Sequence, residues 1–299
     1  MAGGNQKGNH PRIEVEIEPG NERAKRKIPD EMDGVPIDKT ERPNEVENHS
    51  SPCFYQEADF GYSPPRGAFI GPDDNRTGGG TMGSRMPDAQ TGEEFIGTNA
   101  HVAGVCSSDS SGVELQHPEE FGDTPAAYVR PSLVLDELDF APGDCRFYKD
   151  GSLQYFSSPE SKVVKEGEQG NPSNWYRIAG TYDLSALEAI QRYGGNVRKA
   201  GQRTCETYGD HTGYGKKQSG YECADIRRRQ IRWGAATDSE SGDSGSPVID
   251  NYDTTYWKVL GLISGSAAGG WFDNGYVFGP SGYGIFKESG DRFYFADST

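Results

Sequence analysis

The sequence predicts an all-β protein, and three observations carry that expectation. Its 299 residues include 41 Gly and 18 Pro beside 16 Tyr and 13 Phe, a mixture suited to short strands joined by tight turns. Several segments alternate apolar and polar side chains with a period of two. One segment alone, Asp183 to Ile190, reads as a convincing helix, with Asp183 as its N-cap. The length gives room for one or two domains with ample core.

Along the chain, residues 1–50 form a polar N-terminal extension that contributes edge strands. Arg12–Glu18 alternates apolar and acidic residues, and Gly34–Ile37 is extended after a turn. From Cys53 to Arg85 the chain is loop-rich, and Gly78–Gly83 leads into a strand. Glu94–Thr98 is the next strand and delivers His101. Residues 107–130 are acidic and irregular. Leu133–Leu135 and Leu138–Phe140 read as extended, and Gly143–Tyr148 alternates again. Asn196–Gly201 opens a second strand-rich half, and no internal repeat is visible.

The formal net charge of −16 argues against nucleic acid or an anionic membrane as partner, since phosphate binding needs basic patches. It suits a salt-rich cytoplasm, as in a halophilic organism. Arg227–Arg229 with Arg232 reads as a solvated strand face. No stretch is long and apolar enough to span a membrane, and the N-terminus lacks the apolar core of a secretion signal. The expectation is a soluble protein, cytoplasmic or virion-associated. Five cysteines (Cys53, Cys106, Cys145, Cys205 and Cys223) are an odd number without C-x-x-C spacing, which argues against a disulfide framework and a structural zinc site. A bridge between Cys205 and Cys223 stays open. The sequence offers no metal or cofactor motif.

The chemistry concentrates in Ser241-Gly242-Asp243-Ser244-Gly245-Ser246-Pro247. Gly242 and Gly245 free the backbone on either side of Ser244, so the turn can present the hydroxyl to a carbonyl group. The amides of Gly242 and Ser244 can converge on a developing oxyanion. A serine hydroxyl is a poor nucleophile unless a base accepts its proton, and histidine is the side chain poised near neutral pH. Thr98-Asn99-Ala100-His101-Val102 supplies that base. The other histidines (His10, His49, His117 and His211) stand in polar or Gly-rich contexts and read as surface residues.

His101, an aspartate, then Gly-Asp-Ser244-Gly-Ser-Pro, in that order, resembles the trypsin-like serine peptidases of the chymotrypsin fold, in their prokaryotic form. Asn99–Val102, Gly80–Gly83, Val197–Thr204 and Val259–Gly265 each resemble a segment of that family. The resemblance spans roughly residues 77–290. It implies two packed six-stranded antiparallel β-barrels, 51–180 carrying His and Asp and 181–299 carrying Ser. It also implies a triad of His101, Asp144 and Ser244, with Asp183, Asp150, Asp139 and Asp136 as alternatives for the acid. Asp243 would be buried against a cationic group, which in the family is often a freed N-terminal amine. Asp238, six residues before Ser244, would select basic side chains. Ser264, Gly265 and Ser266 would bind a polypeptide substrate as an extended strand. An inactive peptidase fold serving as a binding or structural module is the alternative.

Overall fold

The computed structural model describes residues 13–17, 26–32, 35–41, 69–72, 79–109, 111–119, 122–149, 152–155, 162–164, 175–193, 195–201, 203–219, 226–251, 256–267 and 275–295. The N-terminal strands β1 (Ile13–Ile17), β2 (Glu31–Met32) and β3 (Val35–Glu41) form a small sheet of their own in the order β1-β3-β2.

The first large sheet comprises β4 (Phe69–Pro72), β5 (Gly80–Thr81), β6 (Arg85–Pro87), β7 (Glu94–Thr98), β8 (Val113–Glu119), β9 (Gly122–Val129) and β10 (Ala141–Asp144). Its seven strands run in the order β5-β4-β8-β9-β10-β7-β6. Ile70, Met82, Ile96, Leu115 and Val129 fill its interior. A hairpin of β11 (Arg146–Lys149) and β12 (Ser152–Tyr155) follows.

The second sheet has nine strands: β13 (Lys162–Val164), β14 (Trp175–Thr181), β15 (Asn196–Gly201), β16 (Cys205–Ser219), β17 (Ile226–Trp233), β18 (Pro247–Asn251), β19 (Tyr256–Leu262), β20 (Gly265–Ala267) and β21 (Tyr276–Pro280). Their order is β13-β14-β19-β18-β15-β16-β17-β21-β20. Val197, Ile231, Trp233, Val248 and Leu260 pack inside. A further cluster, with Phe95, Phe140, Phe293 and Phe295 against Ile249, Val259 and Leu262, joins the two halves.

The all-β architecture is thus the one expected, with extra short strands beyond six per barrel. β13 pairs with β14, and β14 hydrogen-bonds to β19 within the second sheet. The helix at Asp183 also forms. α2 (Leu184–Tyr193) follows the one-turn α1 (Ala100–Ala103) and precedes α3 (Gly282–Glu288). Asp183 Oδ1 accepts from Ala186 N at 2.8 Å, and this bond together with one from Ser185 holds its carboxyl below the usual range. No helix among the described residues is long and apolar enough to cross a membrane.

Candidate active site

β7 runs buried into Asn99, which is extended, and α1 then turns once before Gly104 closes it with a φ of 63°. Ala100, Val102 and Ala103 face the core, which leaves His101 at the rim with its ring 15% exposed. His101 Nδ1 lies 2.7 Å from Asp139 Oδ2, and His101 N donates to Asp139 Oδ1 at 3.1 Å. The acid beside the imidazole is therefore Asp139, not Asp144.

Asp139 was expected in an extended piece. Instead Asp136–Leu138 form a 3-10 turn and Asp139 takes a left-handed φ of 58°, a conformation aspartate tolerates better than most residues. Leu135 and Phe140 exchange backbone hydrogen bonds across this loop, so the aspartate stands at its tip. Burial alone would raise the Asp139 carboxyl. The charges and hydrogen bonds of His101, then Arg227 and the Ser264 hydroxyl, outweigh it and hold the pKa below the usual value.

Asp144, the sequence's choice, sits in β10 and pairs with Arg130 while accepting from Arg146 N at 2.8 Å. Burial pushes its carboxyl up. In β10 Asp144 lies opposite Phe95, whereas Ala141 lies opposite Thr98, at the end of β7 that leads to His101. Asp183 caps α2, Asp136 accepts from Ser107 N at 2.9 Å, and Asp150 lies outside the described residues. His211, expected at the surface, is buried on β16, where burial pushes its ring down to about 4. His10 and His49 lie outside the described residues. Cys106 is disulfide-bonded. Cys145 is a buried free thiol pushed up to about 12, and Cys223 lies outside the described residues.

The serine turn docks on the first barrel. Thr81 N donates to Ser244 O at 2.7 Å, and Thr81 Oγ1 donates to Gly242 O at 2.9 Å. The amides of Asp243, Gly245 and Ser246 are taken by Glu240 O, Ile263 O and Asp243 O. Those of Gly242 and Ser244 meet no acceptor among the described residues. Gly242 and Gly245 have φ of 106° and 91°, and a Cβ on Gly245 would overlap Thr81 O. Gly245→Ala is expected to destabilise the fold by about 1–3 kcal/mol from backbone strain alone, read by urea denaturation. A loss below ~0.5 kcal/mol would show that the turn relaxes freely.

Ser264 ties the parts together. Its carbonyl accepts from Ser244 Oγ at 3.3 Å, its hydroxyl accepts from Asn99 Nδ2 at 3.0 Å and bonds to Asp139. Asn99 Nδ2 also donates to Asp139 O at 2.9 Å. Ser264 of the second barrel thus bonds both to Ser244 and to Asp139, the carboxylate that holds His101.

Beneath the turn, Asp243 is fully buried beside Lys199 Nζ at 3.0 Å, itself fully buried. Asp243 also accepts from Arg203 N (2.8 Å), Thr204 N (3.2 Å), Thr204 Oγ1 (2.6 Å) and Glu240 N (3.0 Å). The cation is a lysine of β15, where the resemblance offers a freed N-terminal amine. Asp238 Oδ2 accepts from Ala235 N at 2.7 Å and so closes its own 3-10 turn. Gly265 and Ser266 lie in β20, the last strand of its sheet, with β21 as partner on one side.

No protein-family model matches the sequence, and no curated protein matches it. Solved structures do. A glutamic-acid-specific serine protease that uses a histidine triad in substrate binding is 16% identical, with 77% of this chain and 98% of that one covered at a TM-score of 0.52. Nocardiopsis protease (16% identity, 78% and 98% covered, TM-score 0.46) and Thermobifida fusca protease A (14%, 78% and 98%, 0.48) are further matches. The chain has the chymotrypsin-like two-barrel fold of bacterial serine proteases.

Proposed function

We propose that the protein is a serine endopeptidase in which Ser244 attacks the peptide carbonyl, His101 accepts the hydroxyl proton and Asp139 orients the imidazole. The observation that carries this reading is the pair of bonds from Asp139 to His101, at 2.7 Å and 3.1 Å. A carboxylate on Nδ1 fixes the tautomer whose Nε2 is a free base, and it stabilises the imidazolium once formed. The open amides of Gly242 and Ser244 supply the oxyanion donors. Ser264, Gly265 and Ser266 offer a strand edge on which a polypeptide can add as one more strand. Asp238, whose Oδ2 accepts from Ala235 N, is the carboxylate that would favour a basic side chain.

A fluorophosphonate probe tests the proposal. It is expected to label the wild-type chain at Ser244 and to leave Ser244→Ala and His101→Ala unlabelled. A folded wild type that stays unlabelled would instead favour a binding or structural module. Peptide substrates ending in Arg or in Glu then separate a basic from an acidic preference.

A further inference from the structure

Three successive arginines in a regular strand would alternate between the two faces of the sheet. Here they do not. Lys216 pairs with Gln230 and Gln218 with Arg227, so β17 carries one residue more than β16 over this interval. Arg229 absorbs the extra residue with a left-handed φ of 49°, as a β-bulge does. The bulge resets the alternation. Arg227 and Gln230, three residues apart, both turn inward and are buried.

Both reach the loop that carries Asp139. Arg227 Nη1 lies 3.0 Å from Asp139 Oδ2, and Gln230 Nε2 donates to Leu138 O at 3.4 Å. Between them, Arg228 stays outside and pairs with Glu137 at 3.0 Å. One strand of the second barrel therefore grips residues 137–139 of the first.

We propose that Arg227 is a positioning residue acting through Asp139, holding the carboxylate in place for His101 and moderating how strongly it stabilises the imidazolium. The proposal rests on the peptidase reading above. In the resting site the imidazole must be neutral to serve as a base, so it cannot neutralise Asp139. A carboxylate this deeply buried needs a counter-charge, and Arg227 supplies one in every protonation state. When His101 takes the proton, imidazolium and guanidinium share the same Oδ2, which reduces the net stabilisation each receives. Among the described residues, the Ser264 hydroxyl after β19 also bonds Asp139, and the Glu137–Arg228 ion pair lies on the adjoining surface. Neither adds a net charge.

The test follows the imidazole titration of His101 by nitrogen-15 NMR in a Ser244→Ala background, with Arg227 kept or changed to Gln, Met or Lys. The neutral Gln and Met variants are expected to titrate about one pH unit higher, and the Lys variant to match the parent. With Ser244 restored, the acid limb of the kcat/KM profile moves up in step. Coincident curves for the parent and either neutral variant would overturn the proposal, as would a Lys variant shifted as far as they are. Should both neutral variants fail to fold, the Lys curve still decides: a match supports the charge role and a shift removes it. The NMR arm needs no turnover. An inert chain would sink the peptidase reading while leaving the Arg227 result legible.

Discussion

Asp139→Asn is expected to lower kcat about ten-thousand-fold, the scale on which a triad aspartate acts, while Asp144→Asn leaves kcat within a few-fold of wild type. The asymmetry follows from what each carboxylate touches. Asp139 holds His101 through both Nδ1 and the main-chain amide. An asparagine there can present its NH₂ to Nδ1 and favour the tautomer whose Nε2 carries a proton, which cannot act as a base. Asp144 touches Arg130 and Arg146 N instead, and its loss costs only local structure. Steady-state kinetics on one peptide substrate, with circular dichroism to confirm folding, reads both variants. Comparable losses in the two would remove Asp139 from the triad.

The second large effect is on stability. Lys199→Met is expected to destabilise the fold by about 3–5 kcal/mol, because it strands a buried carboxylate. Lys199 and Asp243 are both fully buried and 3.0 Å apart. Burial presses the lysine pKa down, and the neighbouring Asp243 carboxylate opposes that shift. The double variant Lys199→Met with Asp243→Asn should recover part of the loss, since no lone charge is left inside. Urea denaturation of the four proteins gives the coupling directly. If the double variant falls by the sum of its singles, the pair is not acting as a brace.

How much of this was legible in the letters depended on whether a role is local. Ser244 between two positive-φ glycines and His101 after a strand are set by neighbours in sequence, and so is Asp183 as a helix cap. Val197–Thr204 stood out only by resemblance, and nothing in its letters shows that Lys199, Arg203 and Thr204 meet Asp243 beneath the serine turn. Asp139 was misread because Leu138-Asp139-Phe140 has a strand's composition, while the Leu135–Phe140 closure that bends it is a backbone pairing. Arg227 was hidden for a related reason. A run of charge reads as a wet face, and the bulge at Arg229, which lets Arg227 and Gln230 both turn inward, depends on the register with β16.

The bonding around Ser264 bears on how the molecule matures. Ser244 and His101 come from opposite halves of the chain, and Ser264 of the later half bonds both to Ser244 and to the Asn99 and Asp139 that flank and hold the histidine. During synthesis the earlier half emerges first and carries a histidine and an acid with nothing to attack. On the peptidase reading, a growing polypeptide is harmless to itself and to its ribosome until its last strands arrive.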